Sequence, residues 1–234
     1  MFEPKKFTTP TAKPLPVVLL LDVSYSMLGE KIDNLNKAVE DMLGTFAQEE
    51  KMETEILVSV ITFGNQVELH VPYTKASQVQ WQGLRANGMT PMGTALKMAK
   101  AMIEDKDTTP SRAYRPTVIL VSDGQPNDSW EEPLEEFISK GRSSKCDRMA
   151  MAIGCDANET VLKRFIKDTP HSLFYAENAG QMHEFFRRVT MSLTLRMKAD
   201  DKNKVPDHED IKLDGGGVEN ESDNDSLRGK NGYS

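Results

Sequence analysis

The sequence is poor in cysteine: Cys146 and Cys155 are the only two among 234 residues. Two thiols cannot by themselves build a zinc cluster. They flank Arg148 to Ile153, which reads as a strand and separates them by on the order of 25 Å. A disulfide is not expected at that distance, since bridged Cα atoms lie within about 7 Å. Long apolar runs are also missing. No segment approaches the roughly 18 apolar residues of a membrane-spanning helix, and the polar, Pro-rich start lacks a signal-peptide pattern. A cytoplasmic protein that does not engage membrane is the expectation. Positive charge is not in excess either: a net charge of −7 and a pI near 5.2 argue against nucleic-acid or anionic-membrane surfaces. Neither a Gly-x-x-x-x-Gly-Lys-Ser/Thr loop nor a Gly-x-Gly-x-x-Gly fingerprint occurs. His70, His171, His183 and His208 are scattered and read as structural or solvated.

What the chain does have is Val17-Val18-Leu19-Leu20-Leu21, an unbroken apolar run that ends in Asp22, Ser24 and Ser26. Such a run fits a strand covered on both faces, as at the centre of a mainly parallel sheet. A hydrophobic content of 38% supports a substantial core. Ile56 to Phe63 reads as a second strand, Gly64-Asn65 as a hairpin, and Val67 to Val71 as a half-exposed antiparallel edge strand. Thr117 to Val121 is a further buried strand, ending in Ser122-Asp123-Gly124. Helices are expected after Gly29, from Thr90-Pro91, over Trp130–Ser144 and Glu159–Lys167, and from Gln181 to about Leu195. Ser172–Tyr175 reads as a last short strand, and a short helical piece is expected around Ser77–Leu84. The alternation predicts an α/β fold, a doubly wound, mainly parallel sheet with one antiparallel edge strand and helices on both faces. The domain should span residues 15–197, between an extended lead-in at 1–14 and an acidic, disordered tail at 198–234.

In an open α/β sheet, ligands bind beyond the C-terminal strand ends where strand order reverses. Asp22, Ser24 and Ser26 follow one strand, Asp123 ends another, and Thr90 opens a helix at the same edge. If the two strands are neighbours, all five side chains converge. The donors are all hard oxygen, which suits Mg²⁺, with Mn²⁺ a close second. Neutral hydroxyls would leave the ion electrophilic toward an anionic oxygen.

Asp22-x-Ser24-x-Ser26, Thr90 within Gly88-Met89-Thr90-Pro91-Met92-Gly93, and Asp123-Gly124 resemble the metal-ion-dependent adhesion site of von Willebrand factor type A domains. The resemblance implies that Ser24, Ser26 and Thr90 bind the ion directly, that Asp22 and Asp123 act largely through water, and that a partner's Glu or Asp completes the coordination. Pro16 to Asp22, Ser59 to Phe63 and Ala152 to Ala157 are similar to the bacterial TerY-like branch. That likeness implies a tellurite-resistance or stress setting, with a serine/threonine kinase or PP2C-type phosphatase system among the partners. Tyr25 departs from the small residue common at its position. Together with Met89, Met92 and Trp130 it is expected to form an exposed partner-binding rim.

These residues also have blander readings. Thr90 could be only an N-cap and Ser24 and Ser26 ordinary loop hydroxyls, and Asp128, which could support the ligands from behind, reads better as a solvated loop carboxylate. The enzymatic rival is a metal-dependent phosphohydrolase, because an Asp after an apolar strand also begins the haloacid-dehalogenase motif. That chemistry needs an acid/base Asp two positions on, where this chain has Ser24. A scaffold using the metal only structurally is the remaining alternative. A non-enzymatic interaction module is the expectation.

Overall fold

The computed structural model describes residues 12–49, 54–154 and 157–206. Cys155, most of the lead-in and residues 207–234 of the tail lie outside them. Six strands form one sheet: β1 (Lys13–Asp22), β2 (Thr54–Phe63), β3 (Val67–Lys75), β4 (Thr117–Ser122), β5 (Asp147–Ile153) and β6 (Phe174–Ala176). Their order is β3-β2-β1-β4-β5-β6, with β3 antiparallel to β2 and the other pairs parallel. The helices are α1 (Glu30–Glu49), α2 (Met92–Glu104), α3 (Glu131–Ser139), α4 (Glu159–Phe165) and α5 (Ala179–Lys198).

The apolar run of β1 divides by parity, as a pleated strand must. Val17, Leu19 and Leu21 join the core under α1 and α5, whereas Val18 and Leu20 join the core under α2, α3 and α4. Both faces are covered, so the doubly wound expectation holds. The chain leaves β1 toward β2 on one side and returns to β4 on the other, which makes the β1/β4 boundary the reversal point. Leu21 there lies opposite Val121, so Asp22 and Asp123 emerge from adjacent strand ends.

Several boundaries differ from the sequence reading. β1 starts at Lys13 and includes Pro14 and Pro16. The two prolines share parity, and Pro14 O accepts from Tyr114 N at 2.9 Å. Their missing N–H groups therefore face the β4 side, where pairing starts only at Val17. The piece near Ser77 is one 3₁₀ turn, Ala76–Gln78, and α3 ends at Ser139, before another such turn at Ser143–Lys145.

The tail expectation also starts too early. α5 runs to Lys198, and the fully buried Arg196 donates to Thr117 Oγ1 (2.7 Å), Arg115 O (2.6 Å) and Lys202 O (3.0 Å). Asn203 Oδ1 accepts from Arg115 N at 2.8 Å. A desolvated guanidinium requires such acceptors, and they dock residues 202–203 on the domain. Cys146 is a free, buried thiol whose pKa burial pushes up to about 12. No helix among the described residues is long and apolar enough to cross a membrane.

Candidate metal centre

Asp22 organises the loop it begins. Its Oδ1 accepts from Ser24 N at 2.9 Å, which bends the chain into the 3₁₀ turn Tyr25–Met27. Its Oδ2 accepts from Ser122 Oγ at 2.6 Å and ties β1 to β4. The bend aims the serine hydroxyls across the reversal point: Ser24 Oγ and Ser26 Oγ are 2.9 Å apart, and Ser26 Oγ donates to Asp123 Oδ1 at 2.6 Å. Asp22, Ser24, Thr90 and Asp123 are buried, while Ser26 is exposed. The set is thus reached from one side.

Thr90 arrives by a different route from the expected cap. α2 begins at Met92, so Pro91 occupies the N-cap position and supplies no side-chain cap. The cap is Asp128 instead: its carboxylate accepts from Gly93 N (2.9 Å), Thr94 N (2.8 Å) and Thr94 Oγ1 (2.9 Å). Asp128 is therefore a structural clamp and not a solvated loop residue. Gly93 is required for that approach, since a Cβ there would come within 2.3 Å of Ser129 O. Thr90 O accepts from Met92 N and Asn127 N, but its hydroxyl makes no hydrogen bond among the described residues.

These oxygens face one point. A Cβ built on Gly124 would lie 3.3 Å from Thr90 Oγ1, 3.4 Å from Ser26 Oγ and 3.9 Å from Asp22 Oδ2. Two hydroxyls and a carboxylate surround a space that any side chain at 124 would fill. Among the described residues no three His, Cys, Asp or Glu side chains gather into a metal-binding group. A cation here must take hydroxyl oxygen beside its two carboxylates, the chemistry of a hard divalent ion. Burial pushes the Asp22 carboxyl up to about 6, against the lowering effect of its Ser122 and Ser24 hydrogen bonds; the nearby Asp123 charge adds a smaller upward push. Cation binding would relieve that desolvation.

A family model described as the von Willebrand factor type A domain matches residues 17–188. The chain belongs to this family. Its six-stranded sheet and flanking helices have the family's Rossmann-like arrangement. Among solved structures, it is similar to a von Willebrand factor type A protein from Catenulispora acidiphila (22% identity, TM-score 0.60, 77% of this chain and 42% of that one). It is also similar to the ArnB paralog VWA2 from Sulfolobus acidocaldarius (17%, 0.58, 76% and 46%). A third likeness is to proximal thread matrix protein 1 from mussel byssus, with a zinc-occupied MIDAS motif (16%, 0.59, 77% and 48%). At these identities the likeness is one of fold, and this chain spans less than half of each of the three. No curated protein matches it.

The rim of this type A domain is only partly the one expected. Tyr25 and Met89 are each 60% exposed, and Tyr25 N donates to Gly88 O at 2.9 Å, joining the two loops. Met92 is a correction: it is the first residue of α2, faces the sheet and is fully buried among Leu96, Phe63 and their neighbours. Trp130 is half-buried and packs on the same core at the start of α3. Leu28, 58% exposed just after the 3₁₀ turn, was missed. Lys31 was missed too: its Nζ lies 2.5 Å from Asp123 Oδ2. Its one signal in the sequence is a cation in the first turn of a helix, where the dipole disfavours it.

Proposed function

We propose that this type A domain is a non-enzymatic interaction module that binds a divalent cation, Mg²⁺ or Mn²⁺, at the C-terminal edge of its sheet and recognises an acidic residue of a partner protein there. Ser24, Ser26 and Thr90 are the direct donors in this reading, with Asp22 and Asp123 balancing charge. The observation that carries it is the convergence of Thr90, Ser26 and Asp22 oxygens beside Gly124 with the Thr90 hydroxyl unspent. The bound ion would supply an electrophilic centre for the partner's carboxylate. Exposed Tyr25, Leu28 and Met89 around a charged centre support a partner whose acid is flanked by apolar residues, because adaptable apolar contacts carry most interface energy. A cytoplasmic tellurite-resistance or stress setting, with kinase or PP2C-type phosphatase partners, rests on the TerY-like wording alone.

The test is an immobilised peptide library carrying one Glu or Asp between apolar residues, probed with the full chain. Binding in Mg²⁺ that disappears in EDTA, and in peptides with the acid changed to its amide, supports the reading. Equal binding to acid and amide, or equal binding in EDTA, overturns it.

A further inference from the structure

Both oxygens of Asp123 are held by the chain itself: Oδ1 by the Ser26 hydroxyl at 2.6 Å and Oδ2 by Lys31 Nζ at 2.5 Å. Asp22 is likewise satisfied by Ser24 N and Ser122 Oγ. Of the two buried carboxylates only Asp123 meets an ammonium, that of Lys31, the second residue of α1. Their side chains contrast in exposure, 0% for Asp123 and 36% for Lys31. Lys31 therefore approaches from the protein's outside and is not locked in the core. It also lines a groove shared with Glu30, Asp33, Lys37 and Glu177. Gly154 borders that groove, and a Cβ there would sit 3.6 Å from Nζ. The groove thus sets three carboxylates and a second ammonium, that of Lys37, around the Lys31 side chain.

We infer that Lys31 is a tethered counter-ion of the cation site, neutralising Asp123 when no divalent ion is bound and opposing the ion's entry. The inference rests on the metal-binding reading above and adds what sets the affinity. A positive charge on Asp123 repels an incoming dication within a few ångströms, where screening by solvent is weak. It also occupies an oxygen through which Asp123 would act on the ion or its water. Without the ion, the same charge offsets repulsion between Asp22 and Asp123 in a site where both carboxylates are buried. Lys31 thereby trades metal affinity for metal-free stability.

The experiment is calorimetric titration of the full chain with Mg²⁺ at fixed ionic strength, for the parent, Lys31→Met, Lys31→Gln and Lys31→Arg, with melting in EDTA measured in parallel. Lys31→Gln keeps a donor for Asp123 while removing the charge, so it preserves the comparison if Lys31→Met fails to fold. The neutral variants should bind Mg²⁺ about tenfold more tightly or better, melt lower in EDTA, and recover at saturating Mg²⁺. Lys31→Arg should stay within about threefold of the parent, because its charge is retained. A parent that binds Mg²⁺ while the neutral variants bind no more tightly overturns the counter-ion role and leaves the metal reading standing. Absence of Mg²⁺ and Mn²⁺ binding in parent and variants alike overturns the metal reading itself, and this inference with it.

Discussion

Ser122 donates its hydroxyl proton to Asp22 Oδ2 at 2.6 Å, locking together the ends of two strands that lie 100 residues apart in the chain. The bond orients Asp22 yet does not repay its burial, and its carboxyl is pushed up from 3.8 to about 6. Folding therefore favours the neutral form. That contribution is fully present below about pH 4 and is lost as pH rises through about 6, worth about 3 kcal/mol by pH 7. Asp22→Asn should escape the loss, since Asn Oδ1 can still accept from Ser24 N and the Ser122 hydroxyl can turn to accept. In EDTA, the stability advantage of Asp22→Asn over the parent should grow between pH 4 and pH 7. Chemical denaturation at each pH checks this, and a constant gap would show that Asp22 is not strained by burial.

Asp128 is expected to act on the site at a distance by fixing the start of α2. Asp128→Ala should cost about 1 to 2 kcal/mol, the range for losing a helix cap, and should weaken Mg²⁺ binding severalfold because Thr90 precedes that helix. Denaturation and metal titration of the same variant read the two effects. Unchanged metal affinity in a destabilised variant would show that Thr90 is placed without the clamp.

The rim residues separate into two classes. Tyr25→Ala, Leu28→Ala and Met89→Ala should change stability by no more than about 0.5 kcal/mol, as exposed substitutions do, while weakening binding to acidic peptides. Met92→Ala should cost about 2 to 5 kcal/mol through the cavity it leaves. Melting and peptide binding of the four variants test the division. A stable Met92→Ala, or tight peptide binding by the other three, would place the interface elsewhere.

What the sequence showed depended on how local each signal is. The buried strands were legible because short continuous apolar runs at β1 and β4, bounded by polar and Gly residues, fit strands covered on both faces, and the polar residues closing each run marked the sheet edge. The hairpin and the antiparallel edge strand were equally local. Lys31 and Asp128 were not legible as site residues, because their partners, Asp123 and the Gly93-Thr94 amides, lie 92 and 34–35 residues away. Met92 was misplaced because it reads as a loop residue between polar and Gly neighbours, whereas it opens α2 one turn before Leu96 and shares that residue's buried face. The docking of residues 202–203 was not legible because two of the acceptors that Arg196 needs, Thr117 Oγ1 and Arg115 O, lie 79 and 81 residues away.

Asp22, Ser24, Ser26, Thr90 and Asp123 hold the divalent cation in the proposed function, and Thr90 gives the cleanest access to that role. Its hydroxyl makes no hydrogen bond among the described residues, so Thr90→Val removes one oxygen and little else. Calorimetric titration of the full chain with Mg²⁺, and then Mn²⁺, should show saturable binding to a single site in the parent. It should show binding lost or weakened at least about tenfold in Thr90→Val, a charge-assisted contact being worth about 1.5 kcal/mol or more, with cooperative melting in EDTA retained. Parent and Thr90→Val binding the ion equally, or no saturable binding by the parent, would contradict the account.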